Sequence, residues 1–300
     1  MSWLQVSINT TKDHAEKAED CLFAAGAQTV TLTDAADQPI LEPGVNEVPI
    51  WNAVVITGLF SDDQYSDEDK QKQLLEHIDA SLPGIEHSCD IEMLEDRNWT
   101  RAWMDNYHAM QFGNRLWVVP LHIDPPEPDA VNLRLDPGLA FGTGTHPTTS
   151  LCLRWLDKNI SQQKTLLDFG CGSGILAIAA CMLGIEQAHG VDIDPQALIA
   201  THDNAEANHV ADRINTWLPE DYDIEHAGTQ YDIVVANILS GPLTELSPTL
   251  AQHTKAGGDI VLSGILREQA DNVLKAYREF FEMDEPVFDE DWVMLHGIKR

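Results

Sequence analysis

Apolar residues recur at every second position in some segments of the chain and at helical spacing in others. In the first third, these patterns predict elements in the order β, α, β, β, α, β, at residues 3–8, 13–26, 29–34, 51–60, 66–82 and 88–96. Ser66 is the expected cap of the second helix. This order predicts a small α+β domain of the ferredoxin-like type over residues 1–96.

From residue 149 onward, predicted helices and strands alternate. In chain order they are helix 149–158, strand 165–170, helix 174–183, strand 188–194, helix 195–208, strand 214–219, strand 231–237, helix 242–253, strand 258–266, helix 267–280, and strands 285–291 and 292–299. Such alternation predicts an α/β domain whose mostly parallel sheet is covered by helices on both faces. The last two strands are expected to form a hairpin, which leaves one antiparallel strand at that edge.

Residues 97–112 are rich in aromatic side chains and are predicted to link the two domains, with a short helix from Trp99 to about Tyr107. The tryptophans fit packing at a domain junction better than a partner surface. The second domain is then expected to span residues 113–300.

A glycine-rich turn follows the first strand of this second domain. The stretch "LLDFGCGSGILAIAA" carries Asp168 and then Gly170, Gly172 and Gly174 at GxGxG spacing, whereas the dinucleotide fingerprint is GxGxxG. The turn lies at the carboxyl end of a strand, where open α/β sheets bind ligands. A carboxylate there repels pyrophosphate and attracts a cation. The motif therefore favours S-adenosylmethionine, which carries an ammonium and a sulfonium and no phosphate.

Two more polar residues are predicted at the same edge of the sheet. Asp192 ends the next strand, where a carboxylate can bind ribose hydroxyls, while Asp194 before Pro195 fits a helix cap. Asn237 ends the fourth strand, and its amide can accept a hydrogen bond from an amine. The alternative for Asn237 is a turn residue after a buried strand.

The stretch "GLAFGTGTHPTTSLCLRWL" places glycines and hydroxyl residues before a helix. A phosphate-binding loop needs Lys and then Ser or Thr after its last glycine, but Gly144 is followed by Thr145. The other interpretation is a helix entry with Pro147 in the first turn and a neighbouring Thr as its cap. His146 could accept a proton, but an unpaired loop histidine is more often structural, so a structural role is expected.

Composition limits the partners. The chain has 18 Lys and Arg against 49 Asp and Glu, a net charge of −31, which opposes nucleic acid and anionic membranes and attracts basic partners. Solubility or salt adaptation would explain the charge equally well. No leader or membrane span is recognisable, so a cytoplasmic location is expected. Five cysteines without CxxC pairing predict reduced thiols and no zinc site. No long apolar stripe indicates an obligate dimer, so a monomer is expected.

These motifs, together with "DNAEAN" and "VVANILSGPL", closely resemble the ribosomal protein L11 methyltransferase (PrmA) family. The resemblance covers essentially residues 1–300 and is most specific over 135–243. It implies a Rossmann-like, seven-stranded S-adenosylmethionine-dependent methyltransferase domain with a C-terminal antiparallel hairpin. It also implies a ferredoxin-like domain that recognises ribosomal protein L11, and trimethylation of lysine side chains and the α-amino group.

By the same resemblance, the loop around Thr145 folds over the methionine end of the cofactor. The resemblance implies cofactor contacts at Thr149, Gly170, Asp192 and Asn237. Together with the motif residues, the candidate cofactor-binding residues are Thr145, Thr149, Asp168, Gly170, Gly172, Gly174, Asp192 and Asn237, with Asn237 also the candidate catalytic residue and no metal expected. Many amine methyltransferases have NPPY where this chain has "NILS", which leaves the amine-positioning role of Asn237 open.

Three other functions share parts of this pattern. A nicotinamide-dependent oxidoreductase has a similar sheet but must tolerate phosphate beside Asp168. An RNA methyltransferase would share the cofactor site, but its phosphate contacts are opposed by the net charge. A non-catalytic sensor could bind S-adenosylmethionine without transferring a methyl group.

Overall fold

The computed structural model describes residues 3–36, 50–61, 65, 67–94, 108–135 and 146–300. The chain divides into two compact units, Met1–Asn106 and Tyr107–Arg300. The predicted linker helix from Trp99 to Tyr107 lies outside the described residues, as does Thr145. Within the described ranges, no helix is both long enough and apolar enough to cross a membrane.

The first unit has the predicted order of elements: β1 (Trp3–Thr11), α1 (Ala15–Ala24), β2 (Thr29–Asp34), β3 (Ala53–Ser61), α2 (Glu68–Ser81) and β4 (Ser88–Leu94). All strand pairs are antiparallel, in the order β2-β3-β1-β4. This is the ferredoxin-like arrangement, in which β1 and β3 lie at the centre. Alternate residues of β1, including Leu4, Val6 and Ile8, are buried in a core shared with both helices.

The cap of α2 differs from the expected one. Asp67 is the N-cap, because its Oδ1 accepts a hydrogen bond from the Asp69 N–H at 3.0 Å. Ser66 lies outside the described residues. Asp and Ser are both good caps, so their adjacency made the sequence ambiguous by one position.

The second unit begins with a small sheet of β5 (Met110–Phe112), β6 (Leu116–Val119) and β7 (Val131–Arg134). The large sheet and its helices follow as α3 (Pro147–Asn159), β8 (Thr165–Phe169), α4 (Ile175–Leu183), β9 (Gln187–Val191), α5 (Pro195–Ala207), β10 (Ile214–Trp217), α6 (Pro219–Glu225), β11 (Tyr231–Asn237), α7 (Ser240–Glu245), α8 (Ser247–His253), β12 (Thr254–Leu266), α9 (Ala270–Tyr277), β13 (Phe281–Met283), β14 (Val287–Asp289) and β15 (Trp292–Lys299).

The large sheet has the strand order β10-β9-β8-β11-β12-β15-β13, and β14 pairs with β15. Strands β8 to β12 pair in parallel, whereas β15 is antiparallel to β12. The mostly parallel, Rossmann-like sheet with a C-terminal hairpin is therefore confirmed. The prediction placed a single antiparallel strand at the edge of the sheet. In the structure β15 is not the edge strand, because the short strand β13 pairs with its far side.

Several short elements were not predicted. They are β5, β7 and β13, at three or four residues each, and the helix α6. Predicted helix 242–253 is two helices, since α7 ends at Glu245 and α8 begins at Ser247. Segments of this length contain too few positions to show a period.

Burial of both faces explains the apolar strands of the sheet. In β8, Leu166 belongs to one buried cluster and Leu167 to the other, and Ile233 and Val234 of β11 divide in the same way. All four side chains have an exposed fraction of 0%. The carboxyl ends of these strands therefore have a rigid base, with their loops projecting from one edge.

His296 of β15 joins three parts of the sheet through two carboxylates. Its Nε2 lies 2.9 Å from Asp259 Oδ1 in β12, and its Nδ1 lies 2.7 Å from Asp284 Oδ2 beyond β13. Burial lowers the pKa of His296, but the hydrogen bonds and charges of the two carboxylates outweigh burial and raise the pKa above its ordinary value. The protonated ring can donate to both partners at once.

We expect His296→Gln to destabilise the protein most at low pH. Because the folded-state pKa is raised, the stabilisation is complete below the unfolded-state pKa of about 6.5 and is lost as pH rises through the folded-state pKa. The difference in the free energy of unfolding between wild type and variant should therefore shrink with rising pH. Urea unfolding at several pH values measures it.

His202→Gln is the matched control, since His202 makes an exposed ion pair with Glu206 on α5. Such pairs contribute little, so this change should have a small effect. A stability difference for His296→Gln that is independent of pH would contradict the assignment.

Candidate active site

The glycine-rich turn between β8 and α4 has a left-handed backbone at each of its three glycine positions. Gly170, Gly172 and Gly174 have φ angles of 84°, 54° and 77°, in the left-handed region. A Cβ at Gly170 would lie 2.2 Å from Ile238 Cγ2, and one at Gly174 would lie 2.6 Å from Thr201 Cγ2. Backbone conformation therefore favours glycine at all three positions, and close packing also requires it at Gly170 and Gly174.

The N–H groups of this turn are bonded within the protein. Gly170 N and Cys171 N lie 2.7 and 3.1 Å from Val191 O, Gly172 N lies 2.9 Å from Asp192 Oδ2, and Gly174 N lies 2.8 Å from Cys171 O. A phosphate-binding turn must leave such donors free for its anion. This turn is therefore held against the end of β9 and is not built as a phosphate cradle.

Helix α5 holds the turn from its other side. The Thr201 hydroxyl donates to Gly172 O at 3.0 Å, and the Asn204 side-chain amide donates to Ser173 O at 2.8 Å. Neither residue was predicted to serve the site. The only sequence signal was their place in "THDNAEAN", within the helix that follows Asp194.

Asp192 lies directly after β9 and is partly buried. Its Oδ2 accepts from Gly172 N, and its Oδ1 accepts from Asp194 N at 3.0 Å. Each carboxylate oxygen has a second lone pair for a hydroxyl donor. Asp194 is the N-cap of α5, as predicted, and accepts from Gln196 N at 2.9 Å.

Asp168 lies beneath the turn with an exposed fraction of 0%. Its Oδ2 accepts from Ala177 N at 3.1 Å, and Oδ1 has no hydrogen-bond partner among the described residues. Burial raises the pKa of Asp168 to about 8, the Ala177 hydrogen bond opposes the rise, and the Asp192 charge adds to it. A nearby cation would favour the charged carboxylate.

Thr149 and Asn237 come together across the sheet edge. Asn237 Nδ2, at the end of β11, donates to Thr149 Oγ1 in the first turn of α3 at 3.2 Å. The Thr149 side chain is buried, with an exposed fraction of 2%. This bond directs the amide nitrogen towards Thr149, and the amide oxygen, which is the acceptor of the side chain, can accept from an amine.

The N-cap of α3 is His146 and not one of the neighbouring threonines. His146 Nδ1 lies 3.4 Å from Thr148 N and 2.8 Å from Thr148 Oγ1. Its ring packs edge-on against Trp292 at 4.6 Å, and burial lowers its pKa. Pro147 occupies the first helical position, as predicted.

Gly264 is a site residue that the sequence reasoning missed. Its φ is 84°, and a Cβ there would lie 2.2 Å from Ile238 O and 3.1 Å from Ile238 N. The register of β12 against β15 shifts between Leu262 and Ile265, around this glycine. A glycine inside the predicted strand "GDIVLSGIL" was the available signal, because such glycines mark bulges and close backbone approaches.

The site thus collects the glycine turn, Asp168, Asp192, Thr149 and Asn237 at the carboxyl ends of β8, β9 and β11. Thr145 lies outside the described residues. Two side chains beside these polar groups, Ile193 and Leu239, are 85% and 54% exposed.

Comparisons with known proteins give a consistent result. A family model described as "Ribosomal protein L11 methyltransferase (PrmA)" matches residues 2–300. Two curated relatives of the same name, from Shewanella sediminis (strain HAW-EB3) and Marinomonas sp. (strain MWYL1), are 48% and 49% identical over 301 residues, and each alignment covers 100% of both proteins. A solved structure of a ribosomal protein L11 methylase from Lactobacillus delbrueckii subsp. bulgaricus is similar, with a TM-score of 0.58 and 32% identity, and covers 65% of this chain and 100% of that chain.

We expect Gly264→Ala to be strongly destabilising, because the methyl group would collide with the Ile238 backbone. Gly257→Ala is the matched control, since Gly257 lies in the same strand with a φ of 75° and has nothing within 4 Å of a Cβ. Both variants carry the left-handed penalty of about 1–2 kcal/mol. Gly264→Ala should lower the free energy of unfolding by a further ~1–3 kcal/mol. Equal unfolding free energies for the two variants in urea would disprove the close approach.

Proposed function

The chain belongs to the ribosomal protein L11 methyltransferase (PrmA) family, and we propose that it transfers methyl groups from S-adenosylmethionine to amino groups of ribosomal protein L11. The proposed acceptors are lysine side chains and the N-terminal amino group, up to trimethylation. The observation that supports this best is the glycine turn, whose N–H groups are bonded internally beside two carboxylates. That chemistry fits a cationic nucleoside without phosphate.

The residues at the sheet edge fit this cofactor. S-adenosylmethionine supplies a methyl group on a positively charged sulfur. Asp192 would accept hydrogen bonds from the ribose hydroxyls. Asp168 Oδ1, which has no hydrogen-bond partner among the described residues, would favour the cationic methionine end. Gly170, Gly172 and Gly174 would let the backbone approach the ligand closely. Thr149 and Thr145 are proposed to contact the methionine end.

Asn237 is the proposed positioning group for the amine. Its Nδ2 is used by Thr149, so Oδ1 can accept an N–H and aim the nitrogen lone pair. A lysine amine has an ordinary pKa of about 10.4 and must be neutral to react. The apolar Ile238 and Leu239, which follow Asn237, would favour the neutral form by removing water from the amine. In-line methyl transfer then depends mainly on alignment.

The charge of the chain supports a basic protein as substrate. A net charge of −31 would steer a positively charged ribosomal protein towards the enzyme and repel RNA phosphates. We therefore propose a cytoplasmic enzyme that acts as a monomer and does not bind nucleic acid directly. The ferredoxin-like unit is the proposed recognition domain for L11.

The experiment that tests this function is incubation of the full chain with S-adenosylmethionine and recombinant ribosomal protein L11, followed by intact mass and peptide mapping. We expect increments of one methyl mass on amino groups. Calorimetry in parallel measures cofactor binding. Binding of S-adenosylmethionine without mass increments would favour a non-catalytic sensor. Binding of a nicotinamide cofactor instead would support a nicotinamide-dependent oxidoreductase.

We expect Asn237→Ala to lower kcat/KM for L11 by about 100-fold, because misalignment of the reacting atoms is costly. Thr149→Val keeps the shape but removes the hydroxyl that orients the Asn237 amide, so it should give a smaller loss. Asn215→Ala, at an exposed position in β10, is the control. Initial rates and cofactor affinity measure the effect, and an unchanged rate in Asn237→Ala with intact cofactor affinity would refute the role.

A further inference from the structure

Three metal-ligating side chains converge in the first unit, on the ferredoxin-like fold. They are Asp79 near the end of α2, His87 in the connection to β4, and Cys89 at the start of β4. Their ligand atoms all lie within 4.8 Å of one another. Asp79 Oδ1 is 3.0 Å from His87 Nε2 and 4.0 Å from Cys89 Sγ.

The histidine ring is oriented for ligation. His87 Nδ1 lies 2.9 Å from Ile85 O, and a carbonyl oxygen only accepts, so Nδ1 carries a proton. Nε2 is then the ring atom that can supply a lone pair to an ion, and Nε2 is the atom that faces Asp79. Metal-binding histidines are commonly held in this way, with the second ring nitrogen donating to a backbone carbonyl.

We propose that Asp79, His87 and Cys89 form a binding site for Zn²⁺ or a similar borderline divalent cation, with a fourth coordination position open to solvent. Imidazole nitrogen, thiolate sulfur and carboxylate oxygen are the three ligand types that zinc takes in proteins. The His87 side chain is 11% exposed and that of Asp79 is 65% exposed, so an ion can enter from the Asp79 side. Hard ions such as Mg²⁺ and Ca²⁺ are excluded by the nitrogen and sulfur ligands.

The surrounding charge also favours a cation. Exposed Glu86 and Asp90 flank the histidine and the cysteine in sequence.

The site would join α2 to an edge strand. β4 pairs with β1, at one edge of the four-stranded sheet, and Cys89 lies opposite Ile8. Coordination would add a link between this strand and the end of α2 that side-chain packing alone does not provide. Because the folded chain presents the three ligands together, binding should raise the melting temperature of the protein.

The test is titration of the full, chelator-stripped chain with Co²⁺ and then Zn²⁺. We expect a thiolate-to-cobalt charge-transfer band in the near ultraviolet, d–d bands typical of four-coordination, and loss of both when Zn²⁺ is added. Calorimetry gives the Zn²⁺ affinity, and thermal unfolding with and without Zn²⁺ gives the stabilisation.

Cys89→Ser should abolish the charge-transfer band, and His87→Gln should weaken Zn²⁺ binding by more than the roughly 10- to 100-fold typical of losing a supporting hydrogen bond. His77→Gln is the control, since His77 is exposed on the same helix outside the cluster. The proposal is overturned if wild type shows no charge-transfer band, or if Cys89→Ser binds Zn²⁺ as tightly as wild type. Either result would leave only the 3.0 Å contact between Asp79 and His87.

Discussion

The proposed active site depends on the close passage of one peptide segment between two glycines. Ile238, directly after β11, has its side chain against Gly170 and its backbone against Gly264, and neither position has room for a Cβ. Both glycines have φ angles of 84°, so the chain direction at each also requires glycine. The residue before Ile238 is Asn237, and its position is therefore set by backbone packing from β8 and β12 on either side. A polar residue on so constrained a support keeps its orientation without a large network of its own.

The proposed site carries two carboxylates, Asp192 and Asp168, whose environments differ. Asp192 is partly exposed and uses one lone pair on each oxygen to hold the backbone, which leaves capacity for hydroxyl donors. Asp168 is buried, and its Oδ1 has no partner within the part of the chain that the structure describes. Its raised pKa reflects the free-energy cost of a charged carboxylate in that position. A cationic ligand would stabilise the charged carboxylate and so reduce this cost. That stabilisation would contribute to the free energy of ligand binding.

The sequence predicted those parts of the site that rest on local patterns. The GxGxG turn, the strand-end positions of Asp192 and Asn237, and the Asp194 cap each need only a few neighbouring residues to be recognised. Gly264 and Thr201 serve the site across long sequence distances, and nothing local distinguishes them from an ordinary strand glycine or helix threonine. The metal-ligand cluster is different, because its three residues lie close together in the sequence, but without CxxC-type pairing nothing marked them before the fold showed the end of α2 beside the start of β4.

In the proposed trimethylation, Asn237 and its apolar neighbours have different roles in successive methyl transfers. A neutral primary amine has two N–H groups and a monomethylated one has a single N–H, so the Asn237 amide oxygen can accept from both. A neutral dimethylated amine has no N–H, and the amide can no longer orient it. The third transfer must then rely on shape and on the exclusion of water by Ile238 and Leu239, whose contacts grow as methyl groups are added. Asn237 should therefore govern the first and second methyl transfers, and the apolar side chains of Ile238 and Leu239 the third.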